Sequence, residues 1–404
     1  MRESAGPFPQ ISAQSILDTT ASRFPNQVAI IDGSHTITYR QLREFSDRFA
    51  TVLKASGISR GDRVAILAPN CLEFEIAFFG ILKAGACVTT INSGYREEEI
   101  AFQVTKSGAR ILVAHESLGI SAHSMPPGTA LEELILIDPD ANAGSFWDLI
   151  LECDGDAPEN RCDPQSDLAA LPFSSGTTGL QKGVMLTHSN LVANVFQYQS
   201  RMNEASVITQ EDVVLVHLPL FHIYGMTVLM LNSVYAGATQ VMMGRFEMDL
   251  FLSLIDQHRI TKLFTAPPVI LGLSLTPLTS RYDTSSLQMV MSGAAPLSAE
   301  LQVRVAKILG CPVIQGYGLT ETSPVTNADF TDGRIKPGTI GPALPDTEER
   351  VVDLETGQII LEPGETGELL VRGPQVMKGY FNEPEATSAA IDSEGWFRTG
   401  DIVT

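Results

Sequence analysis

Residues 174–183, SSGTTGLQKG, place three glycines, two serines, two threonines and a lysine in ten consecutive positions. Backbone N–H groups at glycines, the short hydroxyls of Ser174, Ser175, Thr177 and Thr178, and the Lys182 ammonium are the groups that wrap a phosphate. The same residue types build plain surface turns, so the loop by itself leaves both readings open. Its spacing is not that of an NTPase phosphate loop, which needs GxxxxGK followed by Ser or Thr at the start of a helix. Here the order is Gly176-x-x-Gly179-x-x-Lys182-Gly183, and the flanks LAALPF (168–173) and VMLTH (184–188) read as extended or strand-like. The pattern predicts strand, loop, strand.

Four further stretches hold reactive residue types. IQGYGLTETSP (314–324) follows an apolar strand and sets Tyr317, Thr320 and Glu321 within five residues. There a ring can stack on a base, a hydroxyl can bond a phosphate and a carboxylate can ligate Mg²⁺; a turn with a surface Glu would look the same. MSGAAPLS (291–298), with Gly293, Ala294 and Ala295, allows close backbone approach to a planar ligand or is simply a strand-to-helix connection. LPLFHIYGM (218–226) puts His222 and Tyr224 between a strand and a helix, where a lone His is more often structural. GWFRTGDIVT (395–404) carries Asp401 in a Gly-flanked turn, able to accept both hydroxyls of a ribose or to serve only the turn. None of these decides the matter singly.

The elements that must position these residues alternate between strand and helix. VAIIDGSHTIT (28–38) reads as a hairpin through Asp32-Gly33, and Thr38 to Gln41 as a capping box opening a helix with Leu42, Phe45, Phe49, Val52 and Leu53 on one face. A strand at 63–68, a helix at 74–84, a strand at 87–91, a helix at 97–107 and a strand at 110–114 follow. After residue 210 come strand-like VVLVHL, TQVMM, KLFTA, QMVMS and PVIQ with helices between them, among them 299–309. Such alternation predicts an α/β fold of two doubly wound, mainly parallel-sheet lobes. Beyond residue 337, dense Gly and Pro with short alternating strands predict a small antiparallel, β-barrel-like subdomain. The expected units are 60–212, then 15–59 with 213–337, then 338–404.

Composition narrows the partners. The chain has 404 residues, 44% hydrophobic and 18% charged, with a formal charge of −20. Such a charge disfavours nucleic acid and anionic membrane as partners. No apolar run approaches the ~20 residues of a membrane helix, and MRESAGPFPQ lacks the pattern of a signal peptide, so a cytoplasmic protein is expected. Five cysteines without CxxC spacing argue against a disulfide scaffold or a zinc site.

SSGTTGLQKG, QGYGLTE and GWFRTGD, in this order and at these separations, together resemble the adenylate-forming superfamily, and SGAAPL and GELLVRGPQVMKGY resemble further segments of it. The resemblance spans essentially the whole chain. It implies activation of a carboxylic acid with ATP and Mg²⁺, loss of pyrophosphate, and capture of the acyl-adenylate by a thiol. By position it places Ser174, Ser175, Gly176, Thr177, Thr178, Gly179 and Lys182 around the β- and γ-phosphates. Tyr317 falls against adenine, with Gly293, Ala294, Ala295, Gln315, Gly316 and Gly318 around the nucleotide. Thr320 falls on the α-phosphate or the acid, Glu321 on Mg²⁺, Asp401 on the ribose, and His222 at the mouth of the acyl pocket. Lys182, His222, Thr320 and Glu321 are the implied catalytic set. One departure is Gln181, where the family commonly has Pro; that change predicts a looser loop.

PLFHIYGM lacks the Asp that amino-acid-activating relatives carry, which disfavours an amino-acid substrate. The motifs look closest to the 4-coumarate–CoA ligase and fatty-acyl-CoA ligase branch, which implies coenzyme A as co-substrate. His222, Tyr224, Val228, Gly318, Pro324 and Val325 are the expected lining of a slot for an aryl or alkyl tail. The resemblance also implies a mobile C-terminal domain carrying a further lysine, and nothing up to Thr404 resembles that motif. The expectation is therefore an N-terminal large domain, impaired in catalysis by itself and normally completed in cis. Two alternatives stay open: a nucleotide- or acyl-binding module without turnover, and an acyl-AMP ligase feeding a carrier protein.

Overall fold

Thr38 closes one element and opens the next. The strands Val28–Asp32 and His35–Thr38 pair antiparallel. The Thr38 hydroxyl then accepts from Gln41 N at 3.3 Å, while Thr38 N donates to the Gln41 side chain at 2.9 Å. This reciprocal cap satisfies two orphan donors and starts the helix Tyr39–Ala55, which buries Leu42, Phe49 and Leu53. The structure, a computed structural model, describes residues 4, 6–120, 129–138, 144–155, 157–174, 181–201, 207–329 and 335–404.

Three sheets organise the chain. An eight-stranded sheet runs, edge to edge, through Val325–Ala328, Val313–Gly318, Met289–Ser292, Lys262–Thr265, Val213–Val216, Thr239–Met242, Val28–Asp32 and His35–Thr38. Its interior pairings are parallel and its two edge pairings antiparallel. The second sheet runs Gly379–Tyr380, Lys182–Thr187, Leu168–Ala170, Cys87–Thr90, Arg63–Leu67, Ala109–His115 and Glu133–Ile137, with Phe173–Ser174 also on the Lys182 strand. It is parallel from Leu168–Ala170 to Glu133–Ile137. Helices cover both, so strands such as Arg63–Leu67 and Met289–Ser292 carry unbroken apolar runs, Val64 to Leu67 and Met289 to Met291, rather than alternating. One continuous core joins the two lobes, from Ile30 and Phe49 through Ile66 and Phe78 to Val216 and Met291.

The third sheet has three antiparallel strands, Glu348–Val352, Gly367–Arg372 and Phe397–Val403, and is open, not a closed barrel. Beside it the guanidiniums of Arg350 and Arg372 lie over the Trp396 indole, 4.2 and 4.6 Å from the ring centre. The Gly379–Tyr380 strand leaves this unit and pairs with Lys182–Thr187, Tyr380 opposite Val184. A π-helical stretch, Tyr224–Leu231, stands where the sequence suggested an ordinary helix. The strand expected at 312–315 runs on to Gly318, so Tyr317 sits inside a strand. Asp401 likewise belongs to a strand, Phe397–Val403. There Gly400 takes φ +73 and the pairing with Gly367–Arg372 slips; the turn signal in the sequence is a bulge.

Candidate active site

All three sheets contribute to one cleft of about 1300 Å³. Its floor lies beyond the carboxyl ends of the parallel strands of the first sheet, where open α/β sheets gather ligands. The turn after Met289–Ser292 supplies Gly293, Ala294 and Ala295; the next strand supplies Gln315, Gly316, Tyr317 and Gly318, followed by Thr320 and Glu321. Ser174 and Lys182 enter from the second sheet and Asp401 from the third. A Cβ on Gly318 would lie 2.0 Å from the Pro324 carbonyl oxygen, so only glycine lets these two walls touch.

The strand–loop–strand prediction holds at the two ends of the segment 174–183. Ser174 and Lys182 face each other across an antiparallel pair, so strands do flank the loop. Ser175, Gly176, Thr177, Thr178 and Gly179 lie outside the described residues. The side-chain amide of Gln181 donates to the Tyr95 hydroxyl, a tether at the position where the resemblance led us to expect Pro. The Ser174 hydroxyl donates to Glu321 Oε1 at 2.7 Å. The Tyr380 hydroxyl donates to the same oxygen at 3.0 Å, and Lys182 Nζ lies 5.1 Å from the centre of the Tyr380 ring. A cation and an anion from different sheets thus stand around one tyrosine.

At the other end, the Tyr317 hydroxyl donates to Asp401 Oδ2 at 2.6 Å. Burial first, and then the Asp401 carboxylate, push the Tyr317 phenol well above its ordinary range, so it stays a neutral donor. A short bond from a phenol to a carboxylate is charge-assisted. It places a ring face and an exposed carboxylate side by side, the spacing of a base and its sugar.

His222 opens onto the cleft, yet the protein walls around it desolvate the ring and lower its pKa. Its Nδ1 accepts from the Tyr224 backbone N–H at 3.2 Å, leaving Nε2 as the protonated nitrogen of the neutral ring. Tyr224 bonds the Met291 carbonyl at 3.2 Å. Pro324 and Val325 also line the cleft. Val228, expected in that lining, is fully buried in the π-helical stretch and is not among the residues that line the cleft.

Asparagines of the second lobe hold these walls through their backbones. Asn70 donates to the carbonyls of Val216 and Leu218 at 3.0 Å and accepts from Leu220 N at 2.9 Å. Asn194 donates to Val325 O at 2.7 Å and accepts from Val325 N at 3.1 Å. Sequence reasoning missed these, and it missed Tyr380. The only signal was Tyr380 closing the GELLVRGPQVMKGY segment.

The donor set can be tested for Mg²⁺. Glu321 is 4% exposed and its Oε1 is taken by two hydroxyl donors, while among the described residues no hydrogen bond reaches Oε2. One carboxylate oxygen without a hydrogen bond among the described residues, on a residue that lines the cleft, suits Mg²⁺, which takes one or two carboxylates and completes its shell with water and phosphate oxygens. Among the described residues no cluster of three His, Cys, Asp or Glu forms an all-protein cage. The fit is to a metal that arrives with a nucleotide.

The fold and the cleft together define a nucleotide-binding α/β enzyme. Residues 17–381 match the family described as AMP-binding enzyme. A 4-coumarate–CoA ligase of Pinus taeda is 36% identical over 391 residues, covering 94% of this chain and 72% of that protein. A long-chain-fatty-acid–CoA ligase of Bacillus subtilis is 33% identical over 423 residues, covering 98% and 75%. The crystal structure of a long-chain-fatty-acid–CoA ligase from Archaeoglobus fulgidus superposes with a TM-score of 0.89 at 26% identity, covering all of this chain and 83% of that one. The chain belongs to the AMP-binding enzyme family, in its AMP-forming acid–CoA ligase branch, whose enzymes use ATP, Mg²⁺ and coenzyme A. No helix among the described residues is long and apolar enough to cross a membrane.

Proposed function

We propose that this cleft activates an aryl-propenoic or fatty acid with ATP. An oxygen of the acid's carboxylate bonds to the α-phosphorus, the bond to the bridging oxygen breaks, and pyrophosphate leaves. The thiol of coenzyme A then attacks the acyl carbonyl and AMP departs, leaving the thioester. Adenine lies on Tyr317, and the ribose hydroxyls bond Asp401. Lys182 neutralises the departing phosphates; Ser174, Ser175, Gly176, Thr177, Thr178 and Gly179 are the further residues whose hydroxyls and backbone would bond them. Thr320 bonds the α-phosphate or the acid carboxylate. His222, Tyr224, Pro324 and Val325 line the acyl entrance. Mg²⁺ held at Glu321 would neutralise charge on the phosphates. Displacement at phosphorus asks for alignment and charge neutralisation rather than covalent help, and this cleft offers both inside a chain of net charge −20. The reaction takes place in the cytoplasm, and a further domain in cis completes the site.

One observation carries this reading. The ring–carboxylate pair Tyr317–Asp401 at 2.6 Å and the loop–carboxylate pair Ser174–Glu321 at 2.7 Å face the same cleft, as the two ends of one nucleotide require. The test is a panel of hydroxycinnamates and medium- and long-chain fatty acids with ATP, Mg²⁺ and coenzyme A, reading AMP and thioester. The expected result is AMP formation that depends on one acid class. AMP formed equally with no acid present would overturn the reading.

A further inference from the structure

Tyr380 belongs to none of the segments that carry the chemistry, yet it touches two groups that do. Its backbone is locked to the strand that begins with Lys182: Tyr380 pairs with Val184, and Phe381 N donates to Gly183 O at 2.8 Å. Its own N–H donates to the Thr387 hydroxyl at 2.9 Å. With 7% exposure, the ring has little freedom. Its face receives the Lys182 ammonium at 5.1 Å from the ring centre, within cation–π range. The hydroxyl at the far end of the ring reaches Glu321 Oε1 at 3.0 Å, beside the Ser174 hydroxyl at 2.7 Å. Two donors on one oxygen fix the rotation of the carboxyl group.

We propose that Tyr380 is a positioning residue that sets Glu321 and Lys182 in one geometry, so that a divalent cation and the phosphates of ATP are gripped together. The inference rests on the roles assigned above to Glu321 and Lys182. It explains why a two-residue strand leaves the third sheet: the excursion delivers this one side chain between loop and metal ligand.

The test is equilibrium binding of ATP to this chain, with and without Mg²⁺, for wild type, Tyr380→Phe, Tyr380→Leu, Glu321→Gln and the Tyr380→Phe/Glu321→Gln double variant. Wild type should bind ATP more tightly with Mg²⁺; if it does not, the reading of Glu321 fails whatever Tyr380 does. Tyr380→Phe keeps the ring and should lose about fivefold of the Mg²⁺-dependent gain, the worth of one hydrogen bond, with Mg²⁺-free affinity unchanged. The double variant should be no worse than Glu321→Gln. Tyr380→Leu should also weaken Mg²⁺-free binding, through Lys182. Melting temperatures report whether each variant is folded. A Tyr380→Phe protein with the full Mg²⁺ gain, or additive losses in the double variant, would overturn the proposal.

Discussion

Lys182 and Glu321 lie 139 positions apart in the chain, and the cleft makes them partners through Tyr380. At this scale each residue's contribution is separable. Removing the Lys182 ammonium takes away one charge-assisted contact, worth about 1.5–3 kcal/mol, so Lys182→Ala should raise the Kd for ATP by about ten- to a hundredfold. Isothermal titration checks this, and an unchanged Kd would remove Lys182 from the phosphate site. What was legible at this scale is the grouping: Lys182, Tyr317, Thr320, Glu321 and Asp401 stand in short motifs far apart in the chain, and all of them line one cleft. Tyr380 was not legible, because its bond to Glu321 spans 59 positions and no local pattern encodes it. The place of Val228 was not legible either, because the stretch 224–231 is apolar on every side and gives no face to read.

At the scale of elements, the sequence was clearest where local rules act alone. The hairpin at 28–38 and its capping box form as the side chains dictate. The π-helical stretch YGMTVLML was hidden, since it is apolar on every side and carries no period to read. Also hidden were the side chains that couple elements. Asn194, fully buried on the helix His188–Arg201, completes the backbone hydrogen bonding of Val325. Asn194→Ala leaves a buried N–H and a buried C=O unpaired, at a combined cost of about 2–4 kcal/mol. Urea unfolding should show that loss, and the KM for the acid should rise more than that for ATP. A loss below about 1 kcal/mol would mean that Val325 is held by other contacts.

For the whole molecule, two lobes share a core that buries ionisable groups, and these set its response to pH. Burial holds the imidazoles of His188 and His217 down to about 4. Unfolded, they take up protons near 6.5, so the stability from keeping them neutral is complete above pH 6.5 and lost as pH falls toward 4. Glu75, fully buried beside Gln240, is pushed up to about 8. Its protonated form is the folded one, so its contribution is complete below pH 4.5 and lost as pH rises toward 8. Between 4.5 and 6.5 two histidines outweigh one glutamate, and from 6.5 to 8 the loss of the Glu75 contribution sets the decline. Stability should therefore peak near pH 6.5. Melting temperatures against pH should show this peak, with Glu75→Gln flattening the alkaline side; an unchanged alkaline decline in that variant would assign the loss to other groups. The α/β class and its parallel sheets follow from the alternation of patterns, whereas the passage of Gly379–Tyr380 from one unit to another's sheet does not, because strand partners are chosen by tertiary packing.

The most direct measurement is exchange of labelled pyrophosphate into ATP without coenzyme A, made with the further domain that completes the site present, which isolates the first half-reaction at this cleft. Exchange should require both Mg²⁺ and a carboxylic acid and fall by about 10²–10³-fold in Glu321→Ala, as when a preorganised transition-state contact is lost. Exchange that proceeds without acid, or at an undiminished rate in Glu321→Ala, would contradict it.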